Sequence, residues 1–295
     1  MRNGLPKRSS GSGTVYLRVA ADLPAAVRAF DAVADQFDDR FSRWHSVAAQ
    51  RRAVRRYLLQ TFPPGARLLE LGAGTGEDAL CLLERGRRVV LTDGSPRMVA
   101  RAVAKIRRAG YEDQAEVQQL VLEGLSEFAA RRRQTGGAPF DGMYSNFAAF
   151  NCLADPAALA APLAKVLRPG AACVLVVFGP FCPGEVLVQL LRGDPGAAVR
   201  RLRRDTVPAS IGGQEFAVWY RSRTAWARAL TPYFRLLRIR GVGIVVPPSA
   251  AEPWISRFPR LVLALEALDR LLSAPLALLG DHILLHFERT AHAAP

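Results

Sequence analysis

The sequence predicts an α/β fold built on a mostly parallel sheet, and three observations carry that expectation. Short apolar runs ("ARLLELG", "RVVLTDG", "AEVQQLVLE", "AACVLVVFG") alternate with longer helical stretches, the signature of βαβ units. The first run opens into three glycines spaced by one residue, Gly72, Gly74 and Gly76, directly before a helical segment. Half of the 295 residues are apolar, enough to bury a large core in one domain with additions.

The elements follow in order. Residues 1–14 are polar and Gly/Ser-rich and are expected to form a disordered tail. Residues 15–61 read as a helical arm or lid, with Phe30, Val33, Phe37, Phe41 and Trp44 at spacings of three and four and "FPPG" closing it. The α/β domain then occupies 62–295. Strand "ARLLELG" leads to helix "GEDALCLLERG", strand "RVVLTDG" to helix "SPRMVARAVAKIRRAG", and strand "AEVQQLVLE" to the short helix "LSEFAARRR". A fourth strand lies in "FDGMYSNF", followed by helix "PAALAAPLAKVL", the turn "RPG" and strand "AACVLVVFG". After Gly179 come two insertions, near 180–210 and 247–280, between an edge-strand pattern "EFAVWYRS", a helix "TAWARALTPYF", a strand "RLLRIRGVGIVV" and a last strand "DHILLHFERT" that would run antiparallel.

Composition narrows the function classes. The formal net charge of +14 invites a nucleic-acid or anionic-membrane reading. Yet 37 of the 40 basic residues are arginine in a chain rich in Ala, Leu and Pro, as GC-rich coding would produce, so the charge alone names no partner. Cys81, Cys152, Cys173 and Cys182 show neither a CxxC pair nor metal spacing with the four histidines, and read as small apolar fillers in a reducing compartment. The N-terminus has no apolar h-region, and the late apolar stretch is broken by Glu266, Asp269, Arg270 and Asp281, so neither a signal peptide nor a membrane span is expected. The expected location is cytoplasmic.

The glycine loop decides between ligands. A dinucleotide fingerprint needs a glycine where this chain has Glu77. Glu77 and Asp78 also stand at the positive end of the following helix, where a pyrophosphate would sit, and would repel it. A ligand carrying a sulfonium, an ammonium and one carboxylate fits better. Seventeen residues beyond Gly76, Asp93 ends the second strand, followed by Ser95 as an N-cap and Pro96 at the first helical position.

With these residues, Glu70-Leu71-Gly72-Ala73-Gly74-Thr75-Gly76 and Asp93-Gly94-Ser95-Pro96-Arg97-Met98, the chain resembles the class I S-adenosylmethionine-dependent methyltransferases, over about 62–180. The arm "FDAVADQFDDRF" resembles that of the ubiquinone/menaquinone-type small-molecule methyltransferases, and "LRPG" matches a common turn of the family, with Ala171 in place of its last glycine. The resemblance implies a Rossmann-like, mostly parallel seven-stranded sheet with helices on both faces. It implies S-adenosylmethionine held by Glu70, Gly72, Ala73, Gly74 and Gly76, by Asp93 on the ribose hydroxyls with Gly94 and Ser95, and by Met98 on the adenine. Asn146 and Phe147 would stand where the methyl donor faces its acceptor. Phe37 and Asp38 would cover the cofactor. Many relatives place an Asp after the third strand; here "LVLEGL" leaves Glu123 as the residue that could take its role.

The chemistry does not demand a general base, because aligning nucleophile, methyl and leaving sulfur supplies much of the rate. His45, Tyr144, Tyr16 and His282 are candidates, each also readable as structural, and the catalytic residue stays unassigned. The expected acceptor is a small, largely apolar molecule offering an O, N or C nucleophile, held by Phe37, His45, Asn151, Phe181 and the apolar residues of the insertions, including Trp254 and Phe258. Other readings stay open. "SNFAAF" lacks the Pro-Pro of nucleobase-amine methylating loops, but the arginine runs at 51–56, 131–133 and 200–204 could track an RNA backbone or meet a protein. A relative that only binds the cofactor is the third. Metal and specific nucleic-acid partners are not expected, and the oligomeric state is open.

Overall fold

The protein is described here by a computed structural model covering residues 23–203 and 205–291; the predicted disordered tail and Tyr16 lie outside the described residues. The arm is two helices, α1 (Ala25–Ser42) and α2 (His45–Thr61), where one periodic run was expected; the break falls at Arg43 and Trp44.

The core alternates strand and helix: β1 (Arg67–Leu71), α3 (Glu77–Leu83), β2 (Arg88–Asp93), α4 (Pro96–Ala109), β3 (Ala115–Gln119), α5 (Leu125–Gln134), β4 (Phe140–Ser145), α6 (Ala160–Val166) and β5 (Leu167–Phe178). The first insertion folds as α7 (Pro183–Leu191) and α8 (Pro195–Ala198), followed by the hairpin β6 (Val207–Ile211) and β7 (Gln214–Val218). The chain continues through α9 (Arg223–Leu230), β8 (Phe234–Val242), α10 (Pro259–Leu272) and β9 (His282–Arg289).

Seven strands make one sheet in the order β3-β2-β1-β4-β5-β9-β8, with β9 antiparallel to both its neighbours and the other pairings parallel. The apolar strands are continuous because both faces are covered. Along β5, Val174 and Val176 pack on the α2–α3 side, while Leu175 and Val177 pack on the α5–α6–α9 side.

One strand departs from expectation. "EFAVWYRS" does not join the edge of the main sheet. Its first part is β7, which pairs only with β6, a strand the sequence reading did not separate from the insertion. The hairpin packs outward on α1: Phe30 meets Phe216 with ring centroids 5.7 Å apart, and a Cβ on Gly212 would come within 2.6 Å of Val33. The aromatic stripe of α1 therefore faces the hairpin, and the opposite side of α1 faces the C-terminal ends of the parallel strands, where open α/β sheets bind ligands.

Candidate functional site

The loop after β1 is held in the left-handed region at Gly72, Gly74 and Gly76, with φ of 72°, 55° and 77°. Only glycine adopts this freely, and a Cβ on Gly72 would also stand 2.5 Å from that of Ala149. The loop is tied to the end of β2. The Gly74 N–H donates to Asp93 Oδ2 at 2.8 Å and the Ser95 N–H to Oδ1 at 2.9 Å. Each oxygen keeps a second lone pair for a ligand. Burial raises the Asp93 carboxyl above its usual range, and the two N–H donors only partly offset it. Ser95 caps α4 as its sequence implies, its Oγ accepting from the Met98 N–H at 3.0 Å, with Pro96 in the first turn and Met98 buried.

Behind the loop sit three acids. Glu70 is buried, and desolvation together with the nearby Asp78 pushes its carboxyl well above the usual carboxylate range. Its Oε2 has no hydrogen-bond partner among the described residues. Burial alone would raise Asp78 as well, but Arg51 and Arg55 outweigh it and the net shift is downward. Arg55 Nε donates to Asp78 Oδ1 at 2.7 Å and Asn146 Nδ2 to Oδ2 at 3.1 Å. Glu77 pairs with Lys105 at 2.9 Å and Arg55 at 3.2 Å. The expected repulsion of a pyrophosphate by Glu77 and Asp78 is therefore corrected: Arg51, Arg55 and Lys105 answer the two acids, and what separates this loop from a dinucleotide site is its glycine spacing.

Helix α1 lies directly over this loop. Asp31 Oδ1 accepts from Ser95 Oγ at 2.6 Å and from the Arg97 N–H at 3.0 Å. Asp38 accepts from Thr75 Oγ1 at 2.6 Å and pairs with Lys105 at 2.9 Å. A Cβ on Gly94 would fall 2.8 Å from Val27, so only glycine admits the helix this closely.

On the other side of the same edge, β4 runs into Phe147 and Ala148, both non-glycine residues at positive φ (52° and 74°). Such strain concentrates at ligand sites. The Phe147 ring meets His282 edge-on at 5.3 Å, and Phe178 stacks on the same imidazole at 4.4 Å. His282 opens β9 and is paired in register with the ends of both β5 and β8. Its protonation pattern follows from its neighbours. Asp281 accepts from Gln50 Nε2 at 3.2 Å, which turns Gln50 Oε1 towards His282 Nδ1 at 3.0 Å. A carbonyl oxygen only accepts, so Nδ1 carries the proton and Nε2 carries a lone pair. Burial lowers the imidazole to about 4, so it is neutral at physiological pH. Nε2 is buried without a partner among the described residues, as is Asn146 Oδ1.

A methyltransferase-domain family matches residues 69–173. The tRNA 5-carboxymethoxyuridine methyltransferase of Escherichia coli K12 is 27% identical over 139 residues, covering 47% of this chain and 49% of that protein; the chain thus spans about half the length of the curated relatives it matches. A solved S-adenosylmethionine-dependent methyltransferase from Mesorhizobium loti superposes with a TM-score of 0.51 at 22% identity, over 80% of this chain and 96% of that one. A second, from Methanosarcina mazei, gives 0.52 at 16% identity, over 80% and 98%. Residues 69–173 thus match a methyltransferase domain, and the sheet has the Rossmann-like fold of the class I S-adenosylmethionine-dependent methyltransferases.

In this fold the residues singled out from sequence divide into two groups. Glu70, Gly72, Ala73, Gly74, Gly76, Asp93, Gly94, Ser95, Met98, Asn146 and Phe147 converge on one edge of the sheet. The rest do not. Glu123 is exposed on a short turn after β3. His45 is exposed, its backbone N–H donating to Ser256 Oγ at 2.8 Å. Asn151 is fully buried with its amide engaged by backbone: Nδ2 donates to the Trp219 and Phe178 carbonyls and Oδ1 accepts from the Phe178 N–H. Phe37 belongs to the aromatic stripe of α1, 6.3 Å from Phe30 and 4.6 Å from Phe41, and Phe181 is 39% exposed. Sequence reading missed Arg51, Arg55 and Gln50 on α2, since an arginine run looks the same whether solvated or ion-paired.

Proposed function

We propose that the protein transfers a methyl group from S-adenosylmethionine to an O, N or C nucleophile of a small, largely apolar acceptor. The glycine cradle, the half-used Asp93 carboxylate and the unpartnered, buried Glu70 Oε2 suit the cofactor: an ammonium at Glu70 would stabilise the carboxylate that burial disfavours. In this reading Glu70, Gly72, Ala73, Gly74 and Gly76 hold the methionine end, Asp93, Gly94 and Ser95 the ribose, and Met98 the adenine. S-adenosylmethionine supplies an electrophilic methyl carbon on its sulfonium. The chain's part is to cover the cofactor with α1, to exclude water, and to orient the nucleophile.

One observation supports the acceptor side most directly. Asn146 Oδ1 and His282 Nε2 are buried hydrogen-bond acceptors without donors among the described residues; Asn146 precedes Phe147 in the chain and His282 is in ring contact with it. A buried acceptor left unpaired is costly, so the group that fits there donates hydrogen, an O–H or N–H carried on an apolar body. In this reading His282 Nε2 would take that proton as the nucleophile–methyl bond forms and the methyl–sulfur bond breaks.

The tRNA reading rests on the name of the E. coli relative. Against it, the arginine runs are largely engaged within the protein. Arg51 and Arg55 pair with Asp78, Arg52 and Arg56 with Glu266, and Arg200 and Arg201 with Glu185.

Calorimetry with S-adenosylhomocysteine and NAD tests the cofactor, and Asp93→Ala should weaken the former by about 1–3 kcal/mol. Tighter binding of NAD would sink the assignment. Radiolabel transfer from S-adenosylmethionine to a panel of apolar phenols and amines, run beside bulk tRNA, tests the acceptor. Transfer to tRNA alone would replace the small-molecule reading.

A further inference from the structure

The two insertions are inverted in polarity. On α7, Glu185 is buried while Leu187, Leu190 and Leu191 point outward, Leu191 at 79% exposure. On α10, Glu266 and Asp269 face inward while Leu261, Leu263, Leu268 and Leu271 face solvent, Leu271 at 75%. The inward acids have structural work: Glu185 pairs with Arg200 and Arg201, Glu266 with Arg52, and Asp269 accepts the backbone N–H groups of residues 243–246. Trp254 and Phe258, which the sequence suggested for lining an acceptor cavity, are 59% and 46% exposed.

The two helices are anchored on one small core cluster. Val188 of α7 and Leu265 of α10 pack on the same small cluster of Val246, Ala251, Ile255 and Val262. Trp254 and Phe258, in ring contact at 5.5 Å, lie on the segment that leads into α10. Folded monomers seldom expose so many large apolar side chains on helices anchored to the same cluster without a use for them.

We propose that this surface docks the protein on an anionic lipid bilayer. Charge selects this occupant. Five arginines, Arg192, Arg203, Arg257, Arg260 and Arg270, are exposed on these segments against two exposed acids, Asp194 and Asp205, whereas Glu185, Glu252, Glu266 and Asp269 are buried. Leucines, an exposed tryptophan and a fringe of arginines are what an interfacial helix presents to headgroups and acyl chains. No helix among the described residues is long and apolar enough to cross a membrane, so the contact is one of lying on the surface. The inference stands apart from the identity of the methyl acceptor.

Vesicle flotation with the full chain tests it, using phosphatidylcholine vesicles and vesicles with about a third phosphatidylglycerol. We expect binding to the anionic vesicles, weakened by salt, and a blue shift of tryptophan fluorescence that Trp254→Phe abolishes. Leu191→Ser with Leu271→Ser should weaken vesicle binding at least tenfold while leaving the circular dichroism spectrum and S-adenosylhomocysteine affinity unchanged; both side chains are exposed, so the fold tolerates the change. Absence of binding to anionic vesicles at low salt overturns the proposal. So does a double variant that binds them equally well. A wild-type dimer in ultracentrifugation that the double variant turns into a monomer, with no vesicle binding, would assign the face to a second copy instead.

Discussion

The two halves of the sheet edge are built from different materials. Around β1, β2 and α4 the site is shaped by backbone: three left-handed glycines, two N–H groups on Asp93, and a serine cap. Around β5, β8 and β9 it is shaped by buried side-chain charge: Arg201 bridges Glu185 and Asp281, Gln50 links Asp281 to His282, and Arg201 stands 4.9 Å from the Phe178 ring. Backbone geometry depends on glycine, proline and capping residues at fixed spacing, so it leaves a mark on a short stretch of sequence. A buried ion network joins residues far apart in the chain and leaves none.

The sharpest way to break the second half is to remove Arg201. Arg201→Met should lower unfolding free energy by about 3–5 kcal/mol, because Asp281 loses its arginine inside the protein and Glu185 keeps only Arg200. The corresponding change in the first half, Arg55→Met, should cost less, about 1.5–3 kcal/mol, since Arg51 remains beside Asp78. Urea denaturation of the two variants measures the difference. Equal losses would mean that the second arginine at Asp78 contributes nothing.

The same division explains what could be read before the structure. The parallel sheet, the glycine loop, Asp93 and the Ser95 cap were legible because each is a local rule of spacing. The β6–β7 hairpin was not, since Val207–Ile211 sits between Arg-rich and Gly-Gly segments with only weak alternation and pairs away from the main sheet. The polarity of α10 was misleading in a different way. Its leucines look like a core stripe, yet the residues that fix its orientation are Glu266 and Asp269, and their partners, Arg52 on α2 and the backbone after β8, are invisible to periodicity. His282 was one base candidate among four; only the register of β9 against β5 and the Gln50–Asp281 contact distinguish it.

A pH titration sharpens the contrast at His282. Its folded value of about 4 lies below the ordinary 6.5, mainly through burial. The unfolded chain therefore binds a proton that the folded one refuses between those values. The histidine's contribution is fully present above 6.5 and lost as pH falls towards 4, by at most about 1.4 kcal/mol per pH unit. His286 is also lowered by burial and has the same sign, whereas Glu70 and Asp93, raised by burial, run the opposite way. The wild type minus His282→Asn isolates the effect. We expect the difference in unfolding free energy to shrink from pH 7 to pH 4.5; a difference independent of pH would mean that folding leaves the His282 pKa unchanged, and one that grows as pH falls would mean that the fold favours the charged imidazole.

The smallest effect is expected where the first half meets the arm. Asp38 takes the Thr75 hydroxyl and the Lys105 ammonium, which together overcome the desolvation of a half-buried carboxylate and hold it below its usual range. The side chain is still 36% exposed, so solvent screens the pair, and Asp38→Asn should change global stability by only about 0.5 kcal/mol. Its consequence should be local. Helix α1 also rests on Asp31 at the α4 N-terminus and on the hairpin through Phe216, so losing Asp38 loosens the helix over the glycine loop without unfolding it. Amide hydrogen exchange should then quicken several-fold across residues 34–42 and stay unchanged in β1 and β4. Bound S-adenosylhomocysteine should restore part of the protection in the wild type and less of it in the variant. Exchange that quickens equally in α1 and in the central strands would show that the arm is part of the cooperative core and not a separately opening cover.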